Sequence, residues 1–159
     1  MQHWLAWLEN ATFSQAMREQ TWLYPLVEIV HILGFTVLVG AVVMFDLRVL
    51  GCAKALSVSG LARYLLLWGM AALVLIVPAG LAMFATQPGE FAGNRVFVLK
   101  LGLIVVAGVN ALAFHRGVYR SVQRWDVDLP APGSAKCQAL LSILLWVGVI
   151  SCGRLLAYV

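Results

Sequence analysis

Charge is scarce in this chain. Of its 159 residues 11% are Asp, Glu, Lys or Arg, and only 7 are acidic. A soluble domain carries roughly 25% charged residues to keep its surface wet, so this shortage excludes an ordinary water-soluble globule. The 62% hydrophobic content and mean hydropathy of +0.91 point the same way. Cysteine is sparse too. Cys52, Cys137 and Cys152 make neither an even framework nor a CxxC pair, which argues against a disulfide scaffold or a thiolate metal site. There is no Gly-rich phosphate loop, no Ser/His/Asp arrangement, no repeat and no low-complexity tract. Met1 to Gln20 lacks a basic start followed by a continuous apolar stretch, so no cleavable signal peptide is expected.

What the chain has instead is long apolar runs. Crossing a hydrocarbon core of ~30 Å takes ~20 helical residues at ~1.5 Å each. Four stretches are long enough, approximately 22–45, 61–86, 96–115 and 138–159. The expectation is an all-α integral membrane four-helix bundle forming a single domain over 1–159. Pro25 falls in the first turn of the first helix, where its missing donor is harmless, whereas Pro78 sits inside the second and predicts a kink. Trp4, Leu5, Trp7, Leu8 and Phe13 alternate with polar residues, which predicts a short amphipathic helix at the outer surface, most simply an anchor for the bundle. The third connection, Arg116 to Lys136, contains Pro130-Ala-Pro132-Gly133 and reads as a flexible cytoplasmic loop.

The net charge of +4 is small and gathered on one side, so it reads as membrane orientation and not as a nucleic-acid footprint. Arg48, Lys54 and Arg63 flank the first connection, and Arg116, Arg120, Arg124 and Lys136 the third; Arg18, Arg95 and Arg154 lie on the other side. By the positive-inside rule this predicts a bacterial inner-membrane protein with both termini periplasmic.

Within these runs the informative residues are ionisable. Charged groups at membrane depth cost roughly 2.5 to 3.5 kcal/mol each even on lenient insertion scales, so they are usually paired and usually functional. Glu28 and His31 share one face of the first helix with Tyr24, Phe35 and Leu38. His31 lies seven residues past Tyr24, about 10 Å below the outer boundary, and Lys100 four residues past Val96, about 6 Å below it. The two are nearly level, whereas His115 is more than ~20 Å beyond Lys100 and cannot share a metal with His31. Ala107 and Ala111 would leave room below Lys100, and Arg154 lies at similar outer depth, suited to a propionate or to Glu28 or simply to snorkelling. The Glu28-x-x-His31 pair is half of a di-iron motif, and one copy is too few. Asp46 and Arg48 read as a cap on the bundle, Asn110 as a bond to a neighbouring helix, and the segments around Gly108 and Gly153 as close helix packing.

The strings YPLVEIVHILGFTVLVGAVVMFDLRVLG, FVLKLGLIVVAGVNALAFHR and SILLWVGVISCGRLLAY resemble an uncharacterised family of small bacterial four-helix inner-membrane proteins over essentially the whole chain. More distantly, the order His31, Gly40, Arg48, Lys100 is similar to haem-containing protoporphyrinogen oxidases of the HemJ type and to CopD-like membrane proteins. The HemJ resemblance implies haem b held by His31 and Lys100. Glu28 and the Gly153-Arg154 pair have no counterpart there, so haem binding transfers better than the oxidase reaction.

Three readings stay open. The bundle holds one b-type haem in its outer half between the first and third helices, with His31 and Lys100 as metal ligands and Glu28 and Arg154 beside the cofactor. It then acts as an electron-transfer protein or a haem-dependent oxidoreductase, with a quinone or porphyrin-like substrate and a redox partner protein. Alternatively, Glu28, His31 and Lys100 form a proton or ion pathway in a small transporter. In the third reading the polar residues are interhelical glue in a non-catalytic assembly subunit. The predicted topology has a direct check: a reporter that works only in the periplasm should be active when fused after Val159 and silent when inserted near Gly133, and the reverse pattern would refute the orientation.

Overall fold

The computed structural model describes residues 7–158. In chain order the helices are α1 (Thr12–Glu19), α2 (Leu23–Leu50), α3 (Val58–Thr86), α4 (Pro88–Gly93), α5 (Arg95–Arg116), a 3-10 segment (Val118–Arg124) and α6 (Gly133–Leu155), with no strand among the described residues. Helices α2, α3, α5 and α6 are each long and apolar enough to cross a membrane. Their exposed side chains are large and apolar, among them Leu33, Leu67, Val74, Val105 and Leu144, as expected of surfaces that face lipid.

Local chemistry explains where these helices stop. Helix α2 runs past Phe45 to Leu50 because Asp46 and Arg48, which read as a polar boundary, are buried at 5% and 2% exposure. It ends at Gly51, whose φ of +118° suits only glycine, and the Gly51 and Cys52 amides turn back onto the Leu47 carbonyl. Ser57 caps α3 by accepting from the Gly60 amide, and α3 continues through Pro78. Asn94 caps α5 by accepting from the Val96 and Phe97 amides. Helix α6 starts at Gly133, five residues before the expected 138, directly after the Pro130 and Pro132 break.

Trp4 and Leu5 of the expected N-terminal surface helix lie outside the described residues; residues 7–9 are helical, Trp7 and Phe13 are exposed, and α1 follows over Thr12–Glu19. Arg18 pins it to the bundle, donating to the Thr86 carbonyl at the end of α3 (2.8 Å) and to the Glu9 carbonyl (2.7 Å).

The third connection is not a flexible loop. Val122, Trp125 and Ala131 are buried against Val49, Val58, Phe114, Ala135 and Ala139, which makes this connection part of the main apolar core. The sequence pattern hid this because a mixed polar segment folds back over the helix ends and fills the space between them. The core therefore sits at the basic end of the bundle, opposite the end that carries the termini.

Packing of the long helices is uneven. Helix α2 packs along α3 and α6, and α6 packs along α5. The α2–α3 approach is tight: a Cβ on Gly34 would lie 2.9 Å from Ile76 Cγ1. Helices α3 and α5 follow one another in the chain, yet among the described residues their Cα atoms never come within 8 Å, and the same holds for α2 and α5. The α3–α5 seam is bridged at its two ends. At the terminal end Phe84, Phe91 and Phe97 cluster, with Phe84 and Phe97 stacked at 5.6 Å.

At the basic end the bridge is polar. Arg48 donates from Nε to the Leu56 carbonyl (2.6 Å) and from Nη2 to the Lys54 and Asp126 carbonyls (2.9 Å each). Asp126 in turn takes the Ser59 amide (2.7 Å), the Ser59 hydroxyl (2.9 Å) and the Ser57 hydroxyl (3.0 Å) on its carboxylate, at the positive end of the α3 dipole. Burial alone would raise the Asp126 carboxyl, but these hydrogen bonds outweigh it and hold the group below the ordinary carboxylate range. A carboxyl lowered by folding stabilises the fold fully above its unfolded value, about pH 4, and loses that contribution as pH falls through the lower folded value. Thermal unfolding in detergent should therefore show wild type losing stability below about pH 4, while Asp126→Asn starts less stable at neutral pH and lacks that acid-dependent component. Identical pH profiles for the two proteins would remove Asp126 from this role.

Candidate functional site

His31 is half-buried on α2, and its ring is held by α3. Nδ1 lies 3.0 Å from the Ile76 carbonyl. A carbonyl can only accept, so in the neutral ring Nδ1 carries the hydrogen and Nε2 keeps its lone pair. Among the described residues Nε2 has no hydrogen-bond partner. Gly80 supplies the seat, since a Cβ there would lie 3.1 Å from His31 Cε1 and 3.5 Å from Nδ1. A backbone carbonyl that fixes one ring nitrogen and frees the other is the usual support of a metal-binding imidazole.

Lys100 projects from α5 toward α6, where Gly153 makes room: a Cβ there would lie 3.8 Å from Lys100 Nζ. Lys100 and Glu28 are the charged groups that act on His31 electrostatically. Helices α2 and α5, which carry His31 and Lys100, do not touch among the described residues. Glu28 is exposed and forms no ion pair among the described residues. Arg154 is exposed and bonded to the hydroxyl of Tyr158, just past the end of α6, its guanidinium 4.9 Å from the centre of that ring. His31 is thus held by α3 and Lys100 lies against α6, while Glu28 is exposed and Arg154 is occupied by Tyr158.

A second polar group lies nearer the basic end and was not legible as a site. A cavity of 320 Å³ is walled by α2 from Leu38 to Asp46, α3 from Ala62 to Leu73, α5 from Ile104 to His115 and α6 from Gln138 to Trp146. The room expected at Ala107 and Ala111 is present here. The tight packing expected at Gly108 is not, because a Cβ there meets nothing within 4 Å and Gly108 borders the cavity. Asn110 donates to the Gln138 carbonyl on α6 (3.0 Å), as expected of a helix-bridging amide.

Asp46 and Arg48, read together as a cap, separate in the structure. Arg48 turns to the connecting segments while Asp46 turns to the cavity, with Ser142 as its hydrogen-bonding neighbour and Oδ2 buried without a partner. Gln138 Oε1 is likewise buried and unpartnered. The sequence signal was an acidic residue just inside the end of an apolar run, which on its own is indistinguishable from a helix-end charge.

Among the described residues no three His, Cys, Asp or Glu side chains converge on a point suited to a metal ion. The chain belongs to a family of unknown function, DUF6644, which matches residues 5–159. No curated protein and no solved structure matches it.

The seat of His31 is testable without any cofactor. Imidazole ¹⁵N spectra of detergent-solubilised protein should assign His31 the Nδ1–H tautomer. Gly80→Leu, which fills the seat, should abolish that signature, and an unchanged spectrum would show that Ile76 does not set the tautomer.

Proposed function

We propose that this chain is a haem b-binding membrane protein with a redox role, His31 and Lys100 holding the iron between α2 and α5. The observation that carries the reading is the His31 imidazole, held by the Ile76 carbonyl at Nδ1 and seated on Gly80, so that the Nε2 lone pair has no partner among the described residues. The donor types fit: an imidazole from α2 and an amine from α5, which are ligand types that haem iron accepts. Bound haem would supply one-electron chemistry at a potential set by these ligands and by burial.

The chain's own residues define the rest. Ile76 orients the His31 ring and keeps its hydrogen on the far nitrogen. Lys100 must shed its proton to ligate, and Gly153 leaves its amine room, since a Cβ there would lie 3.8 Å from Nζ. Glu28, one turn from His31 and exposed, is positioned to exchange protons with a substrate at the edge of the bundle. The similarity in the order His31, Gly40, Arg48, Lys100 to HemJ-type oxidases agrees with this ligand pair. A single cofactor near one end cannot carry electrons across a ~30 Å core by itself, so a redox partner and a quinone or porphyrin-like reductant are part of the proposal. So is placement in a bacterial inner membrane with both termini periplasmic.

The test is an absorption spectrum of detergent-purified protein from haem-replete cells, with and without dithionite. Wild type should show a Soret band that His31→Ala abolishes, Lys100→Ala shifts or weakens, and His115→Ala leaves unchanged. A colourless wild type, or an unchanged spectrum in both the His31 and Lys100 variants, would refute the haem reading in favour of a proton pathway through Glu28, His31 and Lys100.

A further inference from the structure

The cavity beside Asp46 has a hydrogen-bonding imbalance that specifies what it takes. Its walls are mostly aliphatic and aromatic, with Phe45, Phe114 and Trp146 from three helices. Two of the donors that border it are used inside the protein: Asn110 Nδ2 on the Gln138 carbonyl and His115 Nδ1 on the Ala111 carbonyl at 2.9 Å. Acceptors remain. Asp46 Oδ2 and Gln138 Oε1 are buried without partners, and His115, its Nδ1 committed, keeps the Nε2 lone pair.

The nearest guanidinium offers no relief. Arg48, two residues from Asp46, is committed to three backbone carbonyls of the connecting segments, and no ion pair reaches Asp46 among the described residues. A carboxylate at 5% exposure with no counter-charge is a costly arrangement in an apolar surround unless a ligand completes it. Buried unsatisfied polar atoms call for a partner, and here both orphaned atoms call for the same one, a donor carrying positive charge. The aromatic rings suit a cation as well. Access is lateral, through the seam where α3 and α5 stay more than 8 Å apart between their bridged ends.

We infer that this cavity is a binding site for a lipophilic ammonium ion, a compact apolar body bearing a protonated amine, which enters from the bilayer between α3 and α5 and sets its N–H donors on Asp46 Oδ2 and Gln138 Oε1. The site is separate from the proposed haem ligands. Leu38, the first cavity residue of α2, lies seven residues or about 10 Å beyond His31.

The test uses the full chain in detergent and three adamantane derivatives of nearly equal size, 1-aminoadamantane as the cation, 1-adamantanol as the neutral donor and adamantane-1-carboxylate as the anion, by isothermal titration calorimetry at neutral pH. The amine should bind saturably, the alcohol at least tenfold more weakly, and the carboxylate not at all. Asp46→Asn should weaken the amine at least tenfold. Gly108→Leu, which adds side chain where a Cβ meets nothing within 4 Å, should block binding with Asp46 intact, so the site is tested even if the Asp46 variant fails to fold. His31→Ala should leave amine binding unchanged, which separates this site from the haem proposal. The inference is overturned if wild type shows no saturable binding of the amine, if the carboxylate or the alcohol binds as tightly, or if Gly108→Leu binds as wild type does.

Discussion

The Arg48 guanidinium is the tie on which the basic end depends. It is almost wholly buried, and its donors reach carbonyls of Lys54, Leu56 and Asp126, one from each side of the first connection's turn and one from the third connection. Arginine suits this position because a planar fork can serve several carbonyls at fixed angles, which a flexible ammonium cannot reproduce. Asp126, drawn in by the same contact, caps the N-terminus of α3 with its carboxylate. Thus one side chain of α2 sets where α3 starts and where the segment leading to α6 lies, and the apolar core around Val49, Val58 and Trp125 closes over it.

That tie matters because the helices do not close on themselves. Small residues draw α2 and α3 together at Gly34, and α5 and α6 together at Gly148, where a Cβ would lie 3.1 Å from Leu103 Cδ1. Nothing comparable joins α3 to α5, and in lipid no hydrophobic force compels two apolar helices to meet. The seam stays open along its length and is held at its ends by the Arg48–Asp126 contacts and the Phe84, Phe91, Phe97 cluster. The Asp46 cavity lies within this arrangement, walled by all four long helices.

Much of this was readable in advance, and for physical reasons. Length and apolarity set the number of spanning helices, because a bilayer admits few alternatives to a hydrogen-bonded helix. Helical rise placed His31 and Lys100 at one depth, and helix periodicity put the small residues Ala107 and Ala111 on a face with space in front of it. Asp46 was misread because its sequence neighbour Arg48 suggested a shared role, whereas a turn of helix sends the two side chains to different places. The connection from Val118 to Ala131 was misread because its burial comes from contacts with residues far away in the chain, such as Val49 and Ala139, which no local pattern reports.

By itself, then, the sequence determined the class of fold and the four helices long and apolar enough to span a membrane, since these follow from transfer free energy and from a fixed rise per residue. Tertiary structure alone decided which side chains meet. Helix rotation and neighbour order, set by close contacts at Gly34, Gly80 and Gly148 and by the Arg48 tie, aim His31 at Ile76, settle Lys100 over Gly153, and leave Asp46 facing a cavity without a counter-charge.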